Sequence, residues 1–164
     1  MAYVRLFRAL EEAQVRYLVV GGVAVVLHGH ARFTADVDLV VALDAPNVAR
    51  VVEVLRHEGF RPRAPVPLDA FVDADERRRW ADEKGLVALS LWNPSLPLAE
   101  IDLFVQEPFV FDDCYARSVT LELGGSRVRV LGREDLVAMK RAAGRPKDLD
   151  DALALEALRR EEEP

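Results

Sequence analysis

A single cysteine, Cys114, stands among the 164 residues of this chain. That excludes an internal disulfide framework and a cysteine-built zinc cluster. No neighbouring sequence marks Cys114 as a nucleophile, so it reads as a small, buried, apolar side chain. Long hydrophobic runs are missing as well: the longest nearly apolar stretch, Tyr17 to Leu27, is too short to span a bilayer and carries a glycine pair. Nor is positive charge in excess. The formal net charge is −6, which argues against broad, sequence-independent DNA or RNA binding, since that needs a positive field. A nucleotide substrate remains compatible with an acidic chain, because a divalent cation can bridge carboxylates to phosphates. The N-terminus lacks a signal-peptide pattern, with Arg5 and Arg8 inside an amphipathic stretch. The expected compartment is the cytoplasm, with no membrane partner. Both common phosphate loops, G-x-x-x-x-G-K-[ST] and G-x-G-x-x-G, are absent.

What the chain does contain is a regular alternation of elements. Val4, Phe7 and Leu10 recur at helical spacing, so residues 2–14 read as an amphipathic helix. Tyr17 to Val20 is a short buried strand, ending at Gly21-Gly22 before a buried helix over Val23 to Leu27. Val37 to Val41 is a second strand. Asp44 and Pro46 start a helix with Val48, Val51, Val52 and Leu55 on one face, and Gly59 stops it. The three prolines between Arg61 and Pro67 are expected to break any element there. Glu76 to Arg79 reads as a solvated helix face, since acidic neighbours surround its three arginines.

Gly85 to Trp92 and Glu100 to Val105 read as strands joined by a turn through Pro94 and Pro97. Val119, Leu121 and Leu123, then Gly124-Gly125, then Val128 and Val130 give a β-hairpin. Leu136, Met139 and Ala143 form one face of a helix ended by Gly144. Pro146 opens a last helix in which Leu149, Leu153 and Leu155 recur, with Asp148, Asp150 and Asp151 suited to its N-terminal dipole. Glu161 to Glu163 are expected to fray.

The chemistry concentrates in carboxylates. Asp36 and Asp38, two apart on a strand, point to one face while Val37, Leu39 and Val41 fill the other. Like charges so close raise each other's pKa unless a cation takes both as hard oxygen ligands. This spacing alone is equally compatible with two solvent-facing acids on an edge strand. Asp102 lies in the otherwise apolar run Ala99 to Val105, where an aspartate is poorly placed unless it is exposed or holds something. Should its strand neighbour Val37 to Val41, three carboxylates converge beside the glycine turn, an arrangement suited to Mg²⁺-assisted phosphoryl or nucleotidyl transfer.

The run Gly21-Gly22, thirteen intervening residues, then Asp36-x-Asp38, with Asp102 following, resembles the nucleotidyltransferase superfamily, whose fold is like the palm of polymerase beta. The N-terminal helix, Arg32 and Thr34, Leu136 to Lys140 and Ala143 to Asp148 look closer still to small bacterial proteins related to AbiEii-type toxins of toxin–antitoxin pairs. The resemblance implies an α/β (α+β) fold: a twisted, mixed central sheet with helices mainly on one face and a helical C-terminal tail. The expected division is a core over 1–132 and a helical extension over 133–164, whose last two helices close over the nucleotide cleft.

The resemblance also implies residue roles. Asp36, Asp38 and Asp102 would bind Mg²⁺ or Mn²⁺, and Asp102 would help deprotonate the acceptor. Gly21 and Gly22 would bind nucleotide phosphates through their backbone, assisted by Arg32 and Thr34, with Lys140 and Lys147 reaching the triphosphate. On the residues alone, Lys140 could instead lay its stem along apolar surface, and Arg145 and Lys147 could pair with Asp148 or Asp151. One departure is Gly22, where many members carry serine, so a hydroxyl contact to phosphate is missing. The implied partners are an NTP, a hydroxyl acceptor (a tRNA end, a protein or a small molecule) and an antitoxin protein. The alternative is an inactive nucleotide-binding or protein-interaction module of the same fold. His28, His30 and His57 read as loop or helix-end residues, and Trp80 and Trp92 as core or half-buried side chains.

Overall fold

The architecture follows from β1 (Tyr17–Val20), whose four residues are all buried and which therefore needs cover on both faces. The computed structural model describes residues 2–162. Its sheet has seven strands in the order β3-β4-β5-β2-β1-β7-β6, with β2 Asp36–Val41, β3 Arg61–Pro62, β4 Ala88–Asn93, β5 Leu96–Phe104, β6 Val119–Leu123 and β7 Ser126–Val130. The sheet is mixed: β2 runs antiparallel to β1 and parallel to β5, while β7 runs parallel to β1. Strand β2 alternates, with Val37 and Leu39 buried and Asp36 and Asp38 partly open. Strand β5 repeats the pattern, with Ala99, Ile101 and Leu103 buried between half-open Glu100, Asp102 and Phe104. Period-two alternation on neighbouring strands puts one face of the sheet in the core and leaves the acids on the other.

Helix α1 (Ala2–Glu12) buries Leu6, Phe7 and Leu10, so its stripe is centred one residue away from the expected Val4. It packs on α3 (Ala45–His57) and on β7 and β5. The Asp44 carboxylate caps α3 by accepting from the Asn47 N–H at 3.0 Å, and Pro46 sits in the first turn, where its missing donor costs nothing. Helix α2 (Gly21–Leu27) lies against β1 and β2 and meets α6 (Arg133–Ala143), which packs on α7 (Pro146–Glu162). Gly124 and Gly125 both take positive φ, +57° and +79°, which is the type I′ geometry that matches strand twist across the β6–β7 hairpin.

Several expectations are corrected. The proline-rich segment does form an element: Arg61 and Pro62 pair with Trp92 and Leu91 at the sheet edge, where a residue without an N–H is tolerated. The turn between β4 and β5 is confined to Pro94-Ser95, and Pro97 lies inside β5. A short helix α5, Phe111–Ala116, follows β5 without having been anticipated. Helix α2 begins at Gly21 directly after β1, so the glycine pair lies inside the helix and not before it. On α6 it is Leu136 and Lys140 that are buried, with Met139 only half-buried and Ala143 exposed. On α7 Leu149 and Leu153 are exposed while Asp148, Asp151, Ala152 and Leu155 face inward. The expected fray reaches Glu163, which lies outside the described residues.

Arg77 is a further correction. On α4 (Ala74–Lys84) only Arg78 and Arg79 form the solvated face, pairing with Asp75 and Glu76. Arg77 is 5% exposed and donates to the Phe71 carbonyl at 2.5 Å and the Val72 carbonyl at 3.1 Å, at the end of a 3₁₀ turn over Leu68–Val72. Arg77→Ala strands those carbonyls, and the expected loss is about 1–3 kcal/mol, read as a lower urea midpoint. An unchanged midpoint would show that water replaces the guanidinium at no cost.

Candidate active site

The three aspartates are brought together by register. Asp38 lies opposite Asp102 across the parallel β2–β5 pair, and Asp36 lies opposite Glu100. Paired residues project to the same face, so the assumed adjacency of the two strands holds. Ser90 on β4 sits opposite Asp102 from the other side, and its hydroxyl donates to Asp102 Oδ1 at 2.5 Å. Burial is the largest influence on Asp38 and, with the nearby Asp102 carboxylate, pushes its pKa up to about 6. Burial also raises Asp36, followed by the charges of Glu100 and Asp102. Asp36 and Asp38 are thus both held above the ordinary carboxylate range, a penalty that a bound cation would relieve.

Gly21 has φ +65°, a conformation reserved for residues without a side chain, and a Cβ built on it would lie 1.9 Å from Asp38 Oδ2. Asp38 thus lies flat against the Gly21 backbone, and the Gly22 amide donates a hydrogen bond to it. Gly22 is needed for space. Its Cβ would stand 2.4 Å from Arg32 Nη2 and 2.5 Å from Thr34 Oγ1. The missing serine therefore has a local cause: a guanidinium and a threonine hydroxyl already occupy the room its side chain would take.

Lys140 and Arg32 are held by acids from α7. Lys140 Nζ lies 3.1 Å from Asp148 Oδ1 and 2.8 Å from Asp151 Oδ2, and Arg32 Nε lies 3.1 Å from Asp151 Oδ1. Arg145 donates to Asp148 at 2.5 Å. Burial alone would raise the Asp148 carboxyl, but hydrogen bonds from Arg145 and Lys140 outweigh it and hold the pKa below the ordinary carboxylate range. Lys147 is exposed and close enough to Asp36 to draw its pKa down.

One cleft of about 350 Å³ is lined by Gly21, Gly22, Arg32, Thr34, Asp36, Asp38, Asp102, Lys140 and Lys147, which is every residue singled out from the sequence for metal or nucleotide binding. It is also lined by residues the sequence did not single out for the site: Phe33, Phe104, Met139, Arg145 and Asp148. Phe33 is 90% exposed at the mouth of the cleft. The overlooked Glu100 had one available signal, its place on the same alternation as Asp102, whereas Ser90 lies on the neighbouring strand β4. His28 bonds the Leu131 carbonyl at 2.8 Å, Trp80 is buried and Trp92 half-buried. Cys114 is buried, and that burial raises its thiol pKa.

The donor set fits a divalent cation by its chemistry: hard carboxylate oxygens on one face of two adjacent strands. Among the described residues no three His, Cys, Asp or Glu side chains already enclose a metal position. A Mg²⁺-type ion does not require such a cage, since it takes one or two carboxylates and completes its shell with substrate phosphates and water.

Residues 4–160 match the family model described as "Nucleotidyltransferase of unknown function (DUF6036)". No curated protein matches the chain. Among solved structures, the lincomycin-bound lincosamide antibiotic adenylyltransferase LnuA is 16% identical with a TM-score of 0.58, covering 91% of this chain and 90% of that one. The antibiotic-resistance factor ANT(2'')-Ia, in its solution structure, is 14% identical with a TM-score of 0.59, covering 96% of this chain and 87% of its own. A further structure of that factor holds adenylyl-2''-tobramycin. An antigenic nucleotidyltransferase-like protein from Paracoccidioides brasiliensis is 23% identical with a TM-score of 0.55, covering 94% of this chain and 74% of that one. At these identities the likeness is one of fold. No helix among the described residues is long and apolar enough to cross a membrane.

Proposed function

The chain belongs to this family of nucleotidyltransferases, and we propose that it transfers AMP from ATP to a hydroxyl group of a small acceptor molecule inside the cell, using a divalent metal ion. The observation that carries the reading is the register of β2 against β5, which faces Asp36, Asp38 and Asp102 into the cleft that Arg32, Lys140 and Lys147 also line. Asp36, Asp38 and Asp102 would hold Mg²⁺ or Mn²⁺, which when bound neutralises phosphate charge and orients the reacting oxygens.

The remaining steps belong to the chain. Arg32, Lys140 and Lys147, with the Thr34 hydroxyl, bind the triphosphate and stabilise the charge that accumulates on the leaving group. Asp102, fixed by the Ser90 hydroxyl, takes the proton of the acceptor hydroxyl. The acceptor oxygen forms a bond to the α-phosphorus, the bond from that phosphorus to the bridging oxygen breaks, and pyrophosphate leaves. A small acceptor is favoured over nucleic acid by the net charge of −6. It is also favoured by the lincomycin and adenylyl-tobramycin bound in the neighbouring structures.

Isothermal titration with Mg²⁺ or Mn²⁺ plus each NTP tests the site. The intact protein is expected to bind ATP only with metal, and an Asp36→Ala, Asp38→Ala double variant is expected to bind none. No metal-dependent binding of any NTP by the intact protein would overturn the enzyme reading in favour of an inactive module. Labelled ATP offered with hydroxylated antibiotics, tRNA or protein then identifies the acceptor. Label on tRNA or protein would replace the small acceptor by the macromolecular one expected of a toxin.

A further inference from the structure

Helix α7 buries Leu155 but turns two other leucines outward and two aspartates inward. Leu149 and Leu153 are 42% and 60% exposed, while Asp148 and Asp151 on the opposite side are 1% and 3% exposed. Burying two carboxylates costs several kcal/mol each unless cations pair with them, so the face that takes Leu155 inward must also supply such cations. The pairing is specific. Asp151 is shared between two cations from different parts of the chain: Lys140 Nζ at 2.8 Å from one carboxylate oxygen, and Arg32 Nε at 3.1 Å from the other. Lys140 is itself 6% exposed and takes Asp148 as a second partner at 3.1 Å.

The far end of Arg32 is then fixed over the glycine pair, its Nη2 where a Gly22 Cβ would come within 2.4 Å. Arg32 precedes β2 in a segment with no regular secondary structure, and its guanidinium forms an ion pair with Asp151. Left to itself, a long side chain on such a segment samples many rotamers, and ordering it on ligand binding costs affinity. Four cations, Arg32, Lys140, Arg145 and Lys147, line the cleft that also holds Asp36, Asp38 and Asp102.

We infer that Asp151 is a positioning residue that clamps Arg32 and Lys140 in place, so that both present their charge to the phosphates of the bound nucleotide and α7 becomes part of the nucleotide site. This rests on the nucleotide-binding reading above. Asp151 does not line the cleft and touches no substrate; it acts through the two cations.

Equilibrium binding of ATP and of AMP, each with Mg²⁺, to the full chain separates this role from a merely structural one. Asp151→Asn is expected to weaken ATP about tenfold, within the range for coupled charges in one network, while AMP changes by less than about twofold. Losses from Asp151→Asn and Arg32→Ala should not multiply in the double variant. If Asp151→Asn does not fold, Arg32→Lys is read the same way, because it keeps the charge and loses the fork that spans Asp151 and the cleft. Equal losses for ATP and AMP, or no loss, would overturn the clamp while leaving the nucleotide reading intact. Failure of the intact protein to bind ATP would overturn that reading first, and the clamp with it.

Discussion

Asp38→Asn is expected to abolish metal-dependent ATP binding and, in metal-free buffer at pH 7.5, to make the protein more stable. Both results come from one fact, the confinement of this carboxylate against Gly21 and beside Asp102. Burial and the neighbouring charge raise its pKa to about 6 in the folded chain, against 3.8 for an ordinary aspartate. The folded state therefore holds the Asp38 proton more tightly than the unfolded state does. That contributes stability below the unfolded pKa, and the contribution is lost as pH rises through about 6. Above that pH the wild-type chain carries an unfavourable buried charge that asparagine lacks.

Two pKa units correspond to roughly 3 kcal/mol, an upper limit for the gain. For a chain of this size that is roughly 6–12 °C in Tm. The advantage should open between about pH 4 and pH 6 and be absent below it. Added Mg²⁺ should narrow it, by stabilising only the chain that can bind the ion. Thermal denaturation at pH 7.5 and pH 4.0, with and without metal, makes the comparison. Equal Tm values at pH 7.5 would mean that Asp38 is better solvated, or better paired with Lys140, than its place in the cleft indicates.

The same confinement explains which parts of the site were legible in the sequence. Gly21, Gly22, Asp36 and Asp38 stand in short local motifs, and the strand period alone puts the two acids on one face. Asp102 was visible as an anomaly, a charge in an apolar run. The partner strand could not be read from the residues, because a parallel β2–β5 pairing joins segments over sixty residues apart with no local turn to announce it.

The C-terminal helices were misread for a related reason. Reading α7 by itself counts Leu149, Leu153 and Leu155 as a core face, since a hydrophobic pattern records only the preference of one helix for apolar cover. The preference that prevailed belongs to Lys140 and Arg32, two side chains from elsewhere that needed carboxylates. Arg77 follows the same pattern: its charge suggested solvent, but it was turned inward by two carbonyls at the end of the preceding 3₁₀ turn. Of the expected nucleotide ligands, Gly22 was the one whose residue type looked wrong. Its identity follows from Arg32 and Thr34, ten and twelve residues on, which fill the space beside it.

Gly21→Ala is expected to lower both stability and metal-dependent ATP binding. Two costs meet there. Alanine at φ +65° is strained by about 1 kcal/mol, and its Cβ would lie 1.9 Å from Asp38 Oδ2, 2.6 Å from Cγ and 3.0 Å from Cβ. The conflict reaches down the stem of the side chain, so a rotation of the carboxylate tip cannot relieve it. Nor can the strands separate, because Val20 and Asp38 are register partners in the antiparallel β1–β2 pair at the centre of the sheet. What can yield is the position of Asp38 relative to Asp36 and Asp102.

A displacement of about 1 Å in a positioned group costs on the order of a hundredfold in turnover, and metal-dependent ATP binding should fall with it. Gly125→Ala supplies the control. Its φ is +79°, so it bears the same kind of backbone strain, but nothing lies within 4 Å of its Cβ. It should lose about 1 kcal/mol of stability and keep full ATP binding. If Gly21→Ala also loses only stability, the close approach of Gly21 to Asp38 has no part in binding, and the nucleotide must be held from the Lys140 side of the cleft alone. If it loses binding while Gly125→Ala does not, the glycine is there to let a carboxylate lie against bare backbone, and that contact holds Asp38 in line with Asp36 and Asp102.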